Sequence, residues 1–178
     1  MRFTATPLSS PANPRVKQVV RLGQRSHRDE SGLMLIEGYR AMKRAIDSGI
    51  RPVQVFFSEA WFQGENEPAL LDQCAASQPE FFSCTKEVFA KMAYRERPEG
   101  LLMLAPLLHR TLAELPTGPG GLFVIAQSIE KPGNLGTILR SADAAGAHGV
   151  IVCDRCTDIH NPNVIRASTG VIFSLPVV

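Results

Sequence analysis

Apolar positions along this chain alternate between helical spacing and short continuous runs. Asn13-Pro14 suits a helix start, with asparagine as N-cap and proline at the first helical position. Val16, Val19 and Val20 then share one face, while Lys17, Arg21 and Arg25 line another. The run Leu33–Glu37 (LMLIE) predicts a buried strand, and 38–48 predicts a helix with Ala41, Met42, Ala45 and Ile46 inward, ended by Gly49. Val53–Phe57 reads as a strand, 68–76 as a helix, Glu80–Cys84 as a strand, 85–92 as a helix capped by Thr85, and Leu101–Ala105 as a strand. Prolines and glycines crowd the stretch from Pro106 to Gly121, which places a boundary near Pro106. A second series follows: a strand at 122–127, a helix from about Asn134 to Ala145, a strand at 149–152, a helix from Asn161-Pro162 to about Thr169, and a last strand at 171–175. Leu135, Ile138, Leu139 and Ala142 give the first of these helices its inner face. Strands alternating with helices predict an α/β fold of layers, parallel with right-handed crossovers in the second part.

Composition changes this picture little. Of 178 residues, 44% are hydrophobic and 20% charged, enough for a core without disulfide or metal support. No apolar run reaches bilayer-spanning length and the N-terminus has no signal-type stretch, so a cytoplasmic protein is expected. The four cysteines lack the spacing of a secreted disulfide scaffold. Cys153 and Cys156 form a CxxC with no second pair to complete a zinc site, and the loop-like residues after it favour two plain thiols over a redox motif.

Charge is more informative in its distribution than in its net value of +2. Arg2, Arg15, Lys17, Arg21, Arg25 and Arg28 all precede the first acid, Asp29. A solvated outer face and an RNA-binding surface both account for that block.

The loop SIEKPGN, residues 128–134, follows a strand and opens a helix. Ligands of open α/β sheets collect at that edge, and a helix N-terminus favours anions. Gly133 and Gly136 admit another backbone or a phosphate, and Arg140 lies one turn beyond Gly136. Taken by itself, Asn134 reads as an N-cap and Arg140 as a surface ion-pair partner; a substrate-gripping pair is the alternative. Neither GxxxxGK[ST] nor GxGxxG is present, so the motifs of nucleotidases and dehydrogenases are missing.

The assembled string FVIAQSIEKPGNLGTILRSADAAGAHGVIV, with NPNVIRASTGVIFSLPVV after it, closely resembles the SpoU/TrmH family of RNA ribose 2′-O-methyltransferases. Upstream, NPRVKQVVRL, LMLIEGYR and RERPEGLL resemble the small substrate-binding domain that precedes the catalytic domain in many members. The resemblance implies a ribosomal-protein-like α/β RNA-binding domain at 1–106 and the first part of a SPOUT-type, trefoil-knotted domain at 107–178. It implies S-adenosylmethionine as methyl donor, rRNA of the 23S type or tRNA as substrate, and a homodimer. Arg140 and Asn134 match the catalytic motif, Glu130 an acidic position before it, and Arg166 and Ser168 a segment facing the substrate; Arg15, Lys17, Arg21 and Arg25 would add RNA contacts. Family members continue past the position of Val178 with a glycine-rich segment holding a glutamate and a proline-led segment ending in Ser-Leu-Asn. Those segments form most of the methyl-donor pocket and do not occur in residues 1–178, which leaves two readings: a methyltransferase seen in part, or an RNA-binding protein without catalysis. It also predicts an exposed sheet edge.

Overall fold

The computed structural model describes residues 3–116, 118–154 and 157–178. Five strands form the first sheet in the order β1-β4-β3-β5-β2, with β1 at Ala5–Leu8, β2 at Leu33–Glu37, β3 at Gln54–Phe57, β4 at Glu80–Cys84 and β5 at Leu101–Pro106. Strand β4 pairs in parallel with β1 and β3, whereas β5 runs antiparallel to β3 and β2. Alternation along the strands divides the core. Leu35, Phe56, Leu102 and Leu104 point to one face, under helices α1 (Pro14–Arg21) and α5 (Lys86–Met92). Met34, Ile36, Val55, Phe57, Leu101 and Met103 point to the other, where helices α3 (Tyr39–Asp47) and α4 (Glu67–Cys74) lie. Being covered on both faces, these strands read as nearly unbroken apolar runs.

The second sheet is parallel, with β6 (Phe123–Gln127) beside β7 (Gly149–Cys153). Helix α6 (Pro132–Ala144) joins them, and α7 (Pro162–Ala167) and α8 (Val171–Ser174) follow. Ala126, Leu135, Leu139, Val164, Ile172 and Phe173 belong to the same hydrophobic cluster as Met34, Met42 and Val55. One core therefore serves both sheets. Strand β6 pairs with β7 alone among the described strands, and its Ile125 is 68% exposed. No helix among the described residues is long and apolar enough to cross a membrane.

Several expectations need correction. Helix α1 ends at Arg21, and Arg25 opens a separate helix, α2 (Arg25–Ser31), so Lys17, Arg21 and Arg25 do not form one stripe. Val20 is 44% exposed, leaving Val16 and Val19 as the buried face. Strand β1 had no clear signal in the sequence. The apolar run 171–175 forms α8 rather than a strand; Val177 instead bridges Val150 in parallel, supported by hydrogen bonds of 2.9 Å from Val150 N–H to Pro176 and 2.7 Å from Val152 N–H to Val178. Gly170 makes the turn before α8 at φ +82°, where its Cα faces Ala41 so closely that an added Cβ would lie 3.0 Å from the Ala41 Cα. Cys153 ends β7, Cys74 and Cys84 are buried with their thiols pushed up to about 12 by burial, and Cys156 lies outside the described residues.

Candidate functional site

The loop after β6 delivers its residues to the surface as the sequence suggests, but the helix begins earlier. Pro132 occupies the first turn and Lys131, extended at φ −85° and ψ 122°, is the N-cap. Asn134 is inside that first turn, its N–H bonded to the Lys131 carbonyl at 3.0 Å, so the N-cap reading of Asn134 is wrong. The side chains of Glu130, Asn134 and Arg140 are exposed and make no hydrogen bond or ion pair among the described residues. They are thus available to a substrate, and Arg140 is not held in a surface ion pair.

The two glycines of the loop differ. An added Cβ on Gly133 would meet nothing within 4 Å. On Gly136 it would lie 2.4 Å from the Ala167 Cβ and 2.8 Å from the Ser168 nitrogen, so the glycine admits the end of α7 and no phosphate can sit there. The side-chain-free patch beside Arg140 is filled by protein. A Gly136→Ala change gains up to about 1 kcal/mol of helix propensity but forces backbone apart, at a cost of about 1–3 kcal/mol or more. The variant should therefore unfold at lower urea than wild type; an unchanged or higher midpoint would refute this packing role.

Arg166 and Ser168 separate in the same way. Arg166 is exposed and reaches Asn163 at 3.4 Å, facing a cleft between the two halves of the chain. Ser168 is 0% exposed and donates its hydroxyl to the Ile165 carbonyl at 3.0 Å. A substrate-facing role for Ser168 is overturned: its hydroxyl serves α7 itself. In the front part, Arg15 pairs with Glu80 at 3.0 Å and lies over the Phe82 ring, and Arg25 pairs with Asp29 at 3.3 Å. Lys17 and Arg21 share a cleft with His27 and Glu30. Arg28, counted in the basic block, is buried and paired with Asp158.

Sequence reasoning did not find the polar network behind the cleft. Glu37 ends β2, is 6% exposed, and accepts from the Tyr94 N–H at 2.7 Å. Burial pushes its carboxyl up, against the lowering effect of the Tyr94 amide and Arg95. Glu99 accepts from the Tyr39 N–H at 3.0 Å and pairs with Arg95. Gly38, at φ +93°, separates Glu37 from Tyr39, and an added Cβ would stand 2.7 Å from Arg95 Nη2. The available signal was RERPEG itself, a charged hexapeptide around a proline and a glycine.

The carboxyl edge of β6 and β7 is where ligands of open α/β sheets collect. There Gln127, Ser128, Glu130, Asn134 and Asp154 are all exposed. Gln127 donates to Asp154 at 2.5 Å. These residues form an open shelf and do not enclose a nucleoside, so the described residues alone do not fit S-adenosylmethionine. Calorimetric titration of residues 1–178 with S-adenosylmethionine should show no micromolar binding; a micromolar isotherm would overturn that.

Residues 13–103 match the MRM3-like substrate binding domain, and residues 121–178 match the SpoU rRNA methylase family. A 23S rRNA (uridine(2479)-2′-O)-methyltransferase of Streptomyces viridochromogenes is 30% identical over 158 residues, covering 88% of this chain and 54% of that protein. The crystal structure of an RNA 2′-O ribose methyltransferase is 41% identical with a TM-score of 0.81, covering 97% of this chain and 64% of that one. An AdoMet-bound rRNA methyltransferase from Sinorhizobium meliloti superposes with a TM-score of 0.87 at 26% identity, covering 98% of this chain and 64% of that one. The chain thus spans between about half and two thirds of the length of these relatives.

Proposed function

Because the chain belongs to the SpoU rRNA methylase family and carries an MRM3-like substrate-binding domain in front, we propose that it supplies the RNA-holding and ribose-facing parts of an S-adenosylmethionine-dependent RNA 2′-O-methyltransferase. The substrate in this reading is rRNA of the large-subunit, 23S type. The observation that carries it is that Glu130, in the loop after β6, and Asn134 and Arg140, on the helix that follows, are exposed and unengaged among the described residues. Arg140 clamps the ribose-phosphate and stabilises charge on the attacking 2′-oxygen. Asn134 and Glu130 hydrogen-bond to the RNA, and Arg166, Lys17 and Arg21 add backbone contacts, with Arg15 and Arg25 available once their surface ion pairs exchange for phosphates. Residues 1–106 act as the substrate-binding domain and 107–178 belong to the methyltransferase domain. A homodimer in the cytoplasm belongs to the same reading.

Mass spectrometry provides the test. Full-length protein is incubated with S-adenosylmethionine and unmodified rRNA, and the RNA is digested and searched for 2′-O-methylated nucleosides. A new ribose methyl group at one position is expected; methylation on a base, or none on rRNA, would sink the proposal.

A further inference from the structure

A cleft of about 840 Å³ separates the start of α3, the loop before β5 and the exposed side of α7. We propose that this cleft is a subsite for a short unpaired stretch of RNA, distinct from the ribose clamp at Arg140. In it, Arg40, Arg97 and Arg166 take phosphates and the Tyr94 ring takes the face of a base. The inference rests on the RNA-methyltransferase reading and adds a place where the substrate is anchored away from the reacting ribose.

The charge arrangement favours an anion. Glu37 is engaged by the Tyr94 amide, Glu99 by the Tyr39 amide and Arg95, and Glu67 by the Gln63 and Gly64 amides, both at 2.9 Å. These carboxylates hold the walls together. Arg40 and Arg97 are exposed and make no ion pair among the described residues, and Arg166 has only its 3.4 Å contact with Asn163. Of the acids lining the cleft, only Glu96 is exposed. Exposed guanidinium groups that make no ion pair among the described residues suit phosphate.

The aromatic wall selects a single strand. Tyr94 is 42% exposed, and its phenol oxygen accepts from the Asn163 side-chain amide at 3.1 Å, which fixes the ring. A fixed ring stacks on a base at little entropic cost, whereas paired bases hide their faces within the helix. The cleft volume falls in the range of pockets that enclose a small ligand, too small for a duplex.

Binding is measured by fluorescence anisotropy, using the 178-residue chain and a fluorescein-labelled mixed-sequence RNA dodecamer, single-stranded or annealed to its complement. The single strand should bind more tightly than the duplex. Combining Arg40→Gln, Arg97→Gln and Arg166→Gln should weaken single-strand binding and flatten the slope of log K against log salt by about 0.7 for each phosphate no longer neutralised. Tyr94→Leu should weaken it roughly tenfold with the slope unchanged. All four side chains are exposed, and circular dichroism checks that each variant is folded. Unchanged affinity and slope in the triple variant, preference for the duplex, or no RNA binding by the wild-type chain would each overturn the subsite. Failure of the family reading would show separately, as absence of ribose methylation by the wild-type full-length protein.

Discussion

Arg140→Ala in the full-length protein should reduce ribose methylation by at least about a hundredfold while leaving the fold intact. The fold survives because the Arg140 side chain is exposed and makes no bond among the described residues; such surface changes stay within about 0.5 kcal/mol. Activity falls because a guanidinium contributes in two ways to a reaction at a ribose hydroxyl. It fixes the ribose-phosphate by paired N–H donors, and misplacing a reacting atom by an ångström costs about a hundredfold. It also stabilises charge developing on the 2′-oxygen, and removing a single donor of that kind costs about a hundred- to a thousandfold. A guanidinium keeps its proton at neutral pH, so the role of general base is closed to it. Arg140→Lys separates the two contributions, since it keeps charge and loses the planar fork. It should fall between wild type and alanine in single-turnover rate. Wild-type turnover by Arg140→Ala would exclude the clamp.

Arg28→Ala should destabilise the protein by about 3–5 kcal/mol, as expected for breaking one side of a buried ion pair. That is a large fraction of the roughly 5–15 kcal/mol that holds a domain together. Arg28 is 1% exposed, pairs with Asp158 and donates to the Leu22 carbonyl at 2.7 Å. Removing it takes the donor from the Leu22 carbonyl and from Asp158 Oδ2, while Asp158 Oδ1 keeps the His160 N–H at 2.9 Å. Burial alone would raise the Asp158 carboxyl; hydrogen bonds from His160 and Arg28 outweigh burial and hold it well below the usual carboxylate range. Since its folded value is depressed, the pair's stabilisation is complete above the unfolded value of about 3.9 and is lost as pH falls below it. Urea midpoints of wild type should therefore decline below about pH 4, and in Arg28→Ala that decline should be shallower on a lower baseline. A midpoint for Arg28→Ala within error of wild type at neutral pH would show that the pair carries no stability.

Much of the architecture was legible because strands covered on both faces leave unbroken apolar runs and caps leave local marks. Asn13 accepts from the Arg15 N–H at 2.9 Å, Thr85 from Val88 at 3.3 Å, and Asn161 from Asn163 at 2.9 Å, all as the sequence implied. The misread elements were those decided by contacts remote in sequence. The run 171–175 has no periodicity to separate strand from helix; packing of Gly170 against Ala41 decides it. Arg28 sits in a basic block and looks exposed until Asp158, 130 residues away, is brought to it. Asn134 looked like a cap because asparagine often is one, but Pro132 had already begun the helix. In the candidate site, Glu130, Asn134 and Arg140 were readable from their motif, and all three are exposed. The cleft was not, since it forms only when the loop at 94–99 meets α7.

The proline- and glycine-rich stretch between β5 and β6 would suit a hinge by composition alone. The shared core, the Arg28–Asp158 pair and the hydrogen bond from Leu108 N–H to His160 Nε2 at 3.0 Å prevent it from working as one. Under the proposed reading, packing sets the offset between an RNA stretch at Tyr94 and the ribose at Arg140, as in a caliper with its jaws locked; a core substitution that tilts one sheet on the other should then move the methylated position without touching either jaw.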